Sequence, residues 1–273
     1  MPEGPEILYT SLYLKKYLKN CKIEDIISYT DKPAVIPKND YIGNVEEIGS
    51  KGKSFWIKVS GKEKSYYIDI HYGISGWLYS EKPEKNIKFT LVIKNLNNNT
   101  YKYLYMDDRR RFSKIKINTE EQHNKLISKL GIDIFSNDFI LENFKKIIQN
   151  KSTILASFLM KQEVFCGIGN YIKNEVLHLT NLSIKVKTNQ LSIDQINKLY
   201  ENILFVAYSN LLELLNYDNL NKLLDNNVKK LIPTKLEIPY TYKIYNREFT
   251  IDGQKVFKIK VAGRDSYCIK KNC

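Results

Sequence analysis

The chain has 273 residues, 43% of them apolar and 12% aromatic, enough to bury a sizeable core and most naturally two domains. Forty-three Lys and Arg against thirty Asp and Glu leave a net charge of +13, which turns the surface towards polyanions, nucleic acid before an anionic membrane. A run of about 18 apolar residues is missing, as is a charged-then-apolar leader, which excludes a helical membrane span and predicts an intracellular protein.

The first six residues, MPEGPE, hold two prolines and two carboxylates and read as a poor nucleus for regular structure. They are either a loose end or a terminus with a task, because a small second residue favours removal of the initiator methionine and leaves the Pro2 secondary amine first. From Ile23 to Ile117 the text is strand-like, with SFWIKVS, KSYYIDI, KFTLVI and YKYLYM separated by Gly, Asn and Lys, and the spacing predicts a β-sandwich. After a polar junction at Asn118–His123 the period becomes helical over 138–150, 152–165, 192–215 and 219–232. Ser136, Ser152 and Ser192 are N-cap candidates, Ser192 forming a capping-box pair with Gln195. Within this region CGIGNYIKNE places two glycines and Asn170 before a new helix, which suits a phosphate cradle and equally an ordinary turn capped by Asn170. Pro233 and Pro239 bracket a break, and beyond it Asp252–Gly253 reads as a tight hairpin turn between two alternating runs.

Cys21, Cys166, Cys268 and Cys273 are scattered as reduced thiols would be. The one close pair, Cys268 and Cys273, has neither a second pair nor a neighbouring histidine to complete a zinc site, so no metal is expected.

Taken in order, MPEGPE, SKGKSFW, HYGISGWL, DDRRRF, GIGNYIKNE and AGRDSYC resemble the formamidopyrimidine-DNA glycosylase and endonuclease VIII family of base-excision repair enzymes. The resemblance implies an α+β protein. Residues 1–118 would form an N-terminal β-sandwich catalytic domain, 119–134 a linker, 135–239 a helical domain with a helix-two-turn-helix motif, and 240–273 a DNA-gripping hairpin. Where most of the family carries two C-x-x-C zinc pairs, EFTIDG and CIKKNC stand here. The hairpin is therefore similar to the zincless finger of endonuclease VIII-like enzymes of animals and giant viruses, to be held by strand pairing and by Phe249, Val256, Phe257 and Ile259.

The resemblance also implies roles. An α-amine titrates near ~7.7–8.0, so on the order of a tenth is unprotonated at neutral pH, and Pro2 would attack C1′ of the damaged nucleotide to give a Schiff-base-type iminium. Glu3 would shuttle a proton to the sugar ring oxygen, which needs a carboxyl in a dry pocket, with Glu6 supporting it. Lys53 would contact phosphate beside the lesion, Asn170 and Arg264 would grip the backbone, and His71 would touch phosphate or be structural. Asp265 as a surface partner of Arg264 is the plain alternative. Ile74, Arg110 and Phe112 would fill the gap left by the everted base, with Arg109 and Arg111 as alternative registers and Ser113 where the family has glycine. No cofactor is implied. The expected partner is DNA containing oxidised bases or abasic sites, met by a monomer without a membrane.

Overall fold

The computed structural model describes residues 2–29, 41–215, 229 and 232–273. The chain divides into two compact units between Lys129 and Leu130.

In the first unit the opening segment leads straight into a helix, α1 (Gly4–Tyr17), with Pro5 in its first turn. A proline there forfeits only an N–H that has no helical partner, so the sequence that looks like a poor nucleus is a serviceable helix start. Among the described residues eight strands follow: β1 (Cys21–Ser28), β2 (Gly43–Lys51), β3 (Ser54–Ser60), β4 (Ser65–His71), β5 (Trp77–Tyr79), β6 (Ile87–Asn95), β7 (Tyr101–Asp107) and β8 (Lys114–Thr119). Their hydrogen-bonded order is β5-β7-β6-β1-β2-β3-β4-β8. Among the described residues Lys22↔Asn44 and Ile23↔Gly43 join β1 to β2, so the strands expected as a sandwich run in one hydrogen-bonded order.

Alternation along the strands decides the core. Phe55, Ile57 and Val59 of β3 are fully buried while the residues between them are only partly covered. They share one cluster with Ile68 and Ile70 of β4, Phe89, Leu91 and Ile93 of β6, Leu104 and Met106 of β7, and Ile7 and Leu14 of α1. Both halves of the strand order thus feed a single core. At the predicted junction, β8 runs to Thr119, whose side chain caps α2 (Glu120–Ile127) through a capping box with Gln122.

The second unit begins with β9 (Ile132–Asp133) and continues through α3 (Leu141–Gln149), α4 (Leu155–Leu159), β10 (Phe165–Cys166), α5 (Asn170–Leu179), α6 (Ile193–Leu214), β11 (Val256–Val261) and β12 (Arg264–Ile269). Helix α6 follows its predicted span and is capped by Ser192 with Gln195 as expected. The other two caps differ: α3 starts after Ile140 and α4 after Ile154, neither with a side-chain cap, in place of Ser136 and Ser152. The span predicted as one helix over 152–165 ends at Leu159, because Phe165 and Cys166 pair in parallel with Ile132 and Asp133. The predicted helix over 219–232 lies, apart from Lys229 and Ile232, outside the described residues. An aromatic knot of Phe139, Phe144, Phe158, Phe165 and Tyr200, in edge and stacked contacts, packs α3 and α6 together.

In the terminal hairpin the two strands meet at Ala262–Gly263, both at positive φ (48° and 75°), the geometry of a type I′ turn. Asp252–Gly253 forms a lesser turn closed by the isolated bridge Phe249↔Lys255. The hairpin's packing also departs from expectation. Phe249 and Phe257 are 50% and 39% exposed and Ile259 is only partly buried; the cluster is Ile244, Val256, Tyr267 and Ile269 with Tyr245 against it. Nor are all four cysteines reduced, for Cys268 and Cys273 form a disulfide and leave Cys21 and Cys166 as buried thiols. That bridge closes the last turn, whose Asn272 carbonyl accepts from Ile184 N (3.0 Å) beyond α5.

Candidate active site

Pro2 is partly buried and Glu3 wholly so, immediately ahead of α1. Glu6, in the first turn, accepts from the Glu3 amide through Oε2 at 2.7 Å, which fixes the backbone from which the Glu3 side chain departs. The helix start is in turn fastened to the sheet. Thr10 Oγ1 donates to the Glu6 carbonyl at 2.8 Å and shares a hydrogen bond of 2.9 Å with the Tyr72 hydroxyl. Tyr72 is 1% exposed, edge-on to Phe55 and stacked on Trp77, and burial pushes its phenol well above the usual range, so it stays a neutral donor.

His71 ends β4 just before Tyr72, and its Nδ1 accepts from the Gly73 amide at 2.9 Å. That bond requires the proton on Nε2. Loss of hydration around the ring, then the charges of Lys53 and Lys114, hold the imidazole below the ordinary histidine value, so a neutral ring faces two cations. Lys53 reaches His71's neighbourhood from a two-residue turn between β2 and β3, where Gly52 takes φ 59° as a type II′ turn needs.

The three residues expected to fill the duplex gap occur on two loops of this unit, 72–76 and 108–113. These loops touch at Gly73, where any Cβ would lie 2.6 Å from the Phe112 carbonyl carbon and φ is +69°. Arg110 and the 50%-exposed Phe112 stand together, the guanidinium 5.3 Å from the ring centroid. Arg111 is drawn elsewhere, its Nη1 donating to the Ile87 carbonyl at 3.1 Å. Sequence reasoning missed what holds this arrangement. Asp108, fully buried, accepts from Ser75 Oγ (2.6 Å), Arg110 N (3.2 Å) and Ser113 N (2.5 Å), while Lys88 Nζ donates to the carbonyls of Arg111 and Ser113. Only the acidic start of DDRRRF hinted at it.

Burial alone would raise the Asp108 carboxyl, but the Ser75 and Ser113 hydrogen bonds and Lys88 outweigh it and leave the group below the usual carboxylate value. A depressed folded-state value stabilises above the unfolded one, about 3.9, and that contribution vanishes as pH falls through the folded value. Asp108→Ala should therefore cost about 1–3 kcal/mol at neutral pH by leaving Ser113 N and Ser75 Oγ unpaired. Melting curves from pH 7 to pH 2 should show the difference from the native chain shrinking only in acid.

In the second unit, Gly169 occupies the N-cap position of α5 and Asn170 is its first helical residue. Lys173, Asn174 and Glu175 on the same helix are buried, and sequence reasoning missed all three. The Glu175 carboxylate accepts from Tyr240 Oη (2.7 Å), Lys243 N (2.7 Å), Ile244 N (2.9 Å) and Tyr245 N (2.7 Å), fastening the segment that leads to the hairpin. Arg264 opens β12 and is exposed; Asp265, its possible surface partner, instead pairs with Lys258 at 3.0 Å. Among the described residues no group of three or more His, Cys, Asp or Glu side chains is placed to hold a metal, and no helix is long and apolar enough to cross a membrane.

Residues 1–115 match the formamidopyrimidine-DNA glycosylase N-terminal domain, and residues 130–211 the formamidopyrimidine-DNA glycosylase H2TH domain. A formamidopyrimidine-DNA glycosylase of Wolbachia pipientis is 29% identical over 189 residues, 67% of this chain and 68% of its own. Another, from Mycoplasma mobile, is 23% identical over 286 aligned positions, covering 99% and 98%. The Lactococcus lactis formamidopyrimidine-DNA glycosylase, solved bound to DNA containing an abasic site, superimposes with a TM-score of 0.75 at 20% identity over 98% of this chain and 97% of that one. The Thermus thermophilus protein does so with a TM-score of 0.73 at 18% identity over 99% and 98%. With both domains matched in order along one fold, the chain belongs to the formamidopyrimidine-DNA glycosylase and endonuclease VIII family of DNA glycosylases.

Proposed function

We propose that the chain is a bifunctional glycosylase and abasic-site lyase whose nucleophile is the Pro2 amine. The observation that carries this is the buried Glu3 carboxyl, set by the Glu6 cap one residue from a small secondary amine. The nitrogen attacks C1′ of an everted nucleotide, the glycosidic bond breaks with its electrons on the departing base, and a proton delivered through Glu3 to the ring oxygen opens the sugar to an iminium. Loss of a C2′ proton then expels the 3′ phosphate, and a second elimination expels the 5′ phosphate. Lys53, beside a neutral His71, supplies positive charge for phosphate near the lesion. Arg110, Phe112 and Ile74 fill the vacated stack; the tether of Arg111 to Ile87 favours Arg110 over it as the inserted guanidinium.

We assign the chain to the zincless endonuclease VIII-like branch, because Cys268 and Cys273 are spent on one another. Oxidised pyrimidines and ring-opened or hydantoin purines are then the favoured lesions. A Lactococcus relative of the same fold is known in complex with DNA containing an oxidised pyrimidine. The test is a panel of lesion-bearing oligonucleotides, single-stranded and duplex, incubated with and without chelator. Nicks ending in phosphates on both sides, unchanged by chelator, are expected. Tight binding without nicking would favour a catalytically silent damage-binding protein of this fold.

A further inference from the structure

We propose that Lys173 is a positioning residue: its ammonium fixes which way the Asn170 amide faces and ties that amide to the first residues of β12. This rests on Asn170 being a phosphate ligand. Lys173 is 1% exposed, an unusual fate for lysine. It lies one turn after Asn170 on α5, and helical side chains lean towards the N-terminus, so its ammonium comes back over the helix start. There Nζ donates to Asn170 Oδ1 at 2.9 Å, to the Asp265 carbonyl at 3.0 Å and to Ser266 Oγ at 2.9 Å. An ammonium has donors and no acceptor, and each of these three partners accepts from it.

A primary amide carries an acceptor at one end and two donors at the other. Beside a group that can only donate, Oδ1 must face the ammonium, and the Nδ2 hydrogens must point away from it. The opposite amide orientation would set N–H against N–H. The lysine therefore selects the one orientation in which Asn170 offers donors to a phosphate, at a helix N-terminus whose free amides already suit an anion. Its charge also polarises the amide through Oδ1 and strengthens those donors.

The same ammonium holds Asp265 and Ser266, next in the chain to Arg264. Asn174 adds a second strut, donating to the Asn170 carbonyl (2.8 Å) and accepting from Tyr267 N (2.9 Å). The start of α5 and the start of β12 are thus one built piece carrying both phosphate ligands of this unit. A lysine where the helix pattern asks for an apolar residue is the sequence mark of the device.

The test is a double-mutant cycle in the full chain, read as affinity for duplex DNA carrying a tetrahydrofuran abasic analogue. Lys173→Met should weaken binding about tenfold in the native background but less than about threefold beside Asn170→Ala, since the lost amide orientation then no longer matters. Lys173→Gln is run alongside, with circular dichroism melts of each variant. Equal losses in both backgrounds would make Lys173 merely structural and overturn the proposal, as would failure of both Lys173 variants to fold. If Asn170→Ala itself leaves binding unchanged, it is the phosphate role of Asn170 that fails.

Discussion

Glu3→Gln is expected to slow base excision by about 10²–10⁴-fold, the range general acid–base catalysis supplies. The amide is nearly isosteric with the completely buried Glu3 carboxyl, so the substitution removes the carboxyl's acid–base capacity at the head of α1 with little change of shape. The Glu6 cap on the Glu3 amide is a main-chain bond and survives, which keeps the Pro2 backbone in place. Affinity for an abasic analogue should therefore change far less than the single-turnover excision rate. Parallel losses in affinity and rate, or no loss of rate, would remove Glu3 from the chemistry.

The largest effect on stability is expected at Glu175. Its carboxylate takes four hydrogen bonds from Tyr240, Lys243, Ile244 and Tyr245, and Ala would leave three main-chain amides and a phenol without that acceptor. Burial, then the Glu175 charge and hydrogen bond, drives the Tyr240 phenol far above its ordinary value, so it remains a donor throughout the accessible pH range. Glu175→Ala should cost about 3–5 kcal/mol, a melting shift on the order of 10 °C for a unit of this size. Because those bonds brace the approach to the hairpin, limited proteolysis should cut first between residues 240 and 250. A variant melting within about 2 °C of the native chain would show that the segment is held by other means.

How much of this could be read from the sequence depended on whether a side chain's task leaves a periodic trace. Strands β3, β4, β6 and β7 were legible because each is a short β-branched and aromatic run bounded by Gly, Asn or Lys, and α6 because its apolar stripe and Ser192–Gln195 box agree. Helix α1 was illegible because prolines dominate its start, although the first turn is where a helix tolerates them. The Asp252–Gly253 turn was legible and closes the antiparallel Phe249↔Lys255 bridge, whereas the turn between β11 and β12 was missed because it puts Ala262, a residue without a turn signal, at positive φ. Cys268 and Cys273 looked like the remains of a zinc pair, and spacing alone does not tell that from a disulfide.

Within the candidate site the groups proposed to react and to grip were suggested by six short motifs, whereas Asp108, Lys88, Lys173 and Glu175 were not singled out. Three of these are buried charges and Lys88 a partly covered one, all bonded to main-chain groups, and each one's partners lie at least partly outside its own local stretch. Local text can show a charge out of place, as at Lys173 and Asp108, but not the distant partners that close around it. Pro2, by contrast, stands in a conspicuous motif, MPEGPE, which is what singles it out for the proposed chemistry.

Borohydride trapping on abasic-site DNA therefore tests the central claim most directly, comparing the chain beginning at Pro2 with one carrying a retained N-terminal extension. The free secondary amine should give a reduced covalent adduct whose peptide map places the DNA on Pro2, and the extended chain should give none. Full-strength adduct from the extended chain, or an adduct mapping to Lys53 or another lysine, would contradict it.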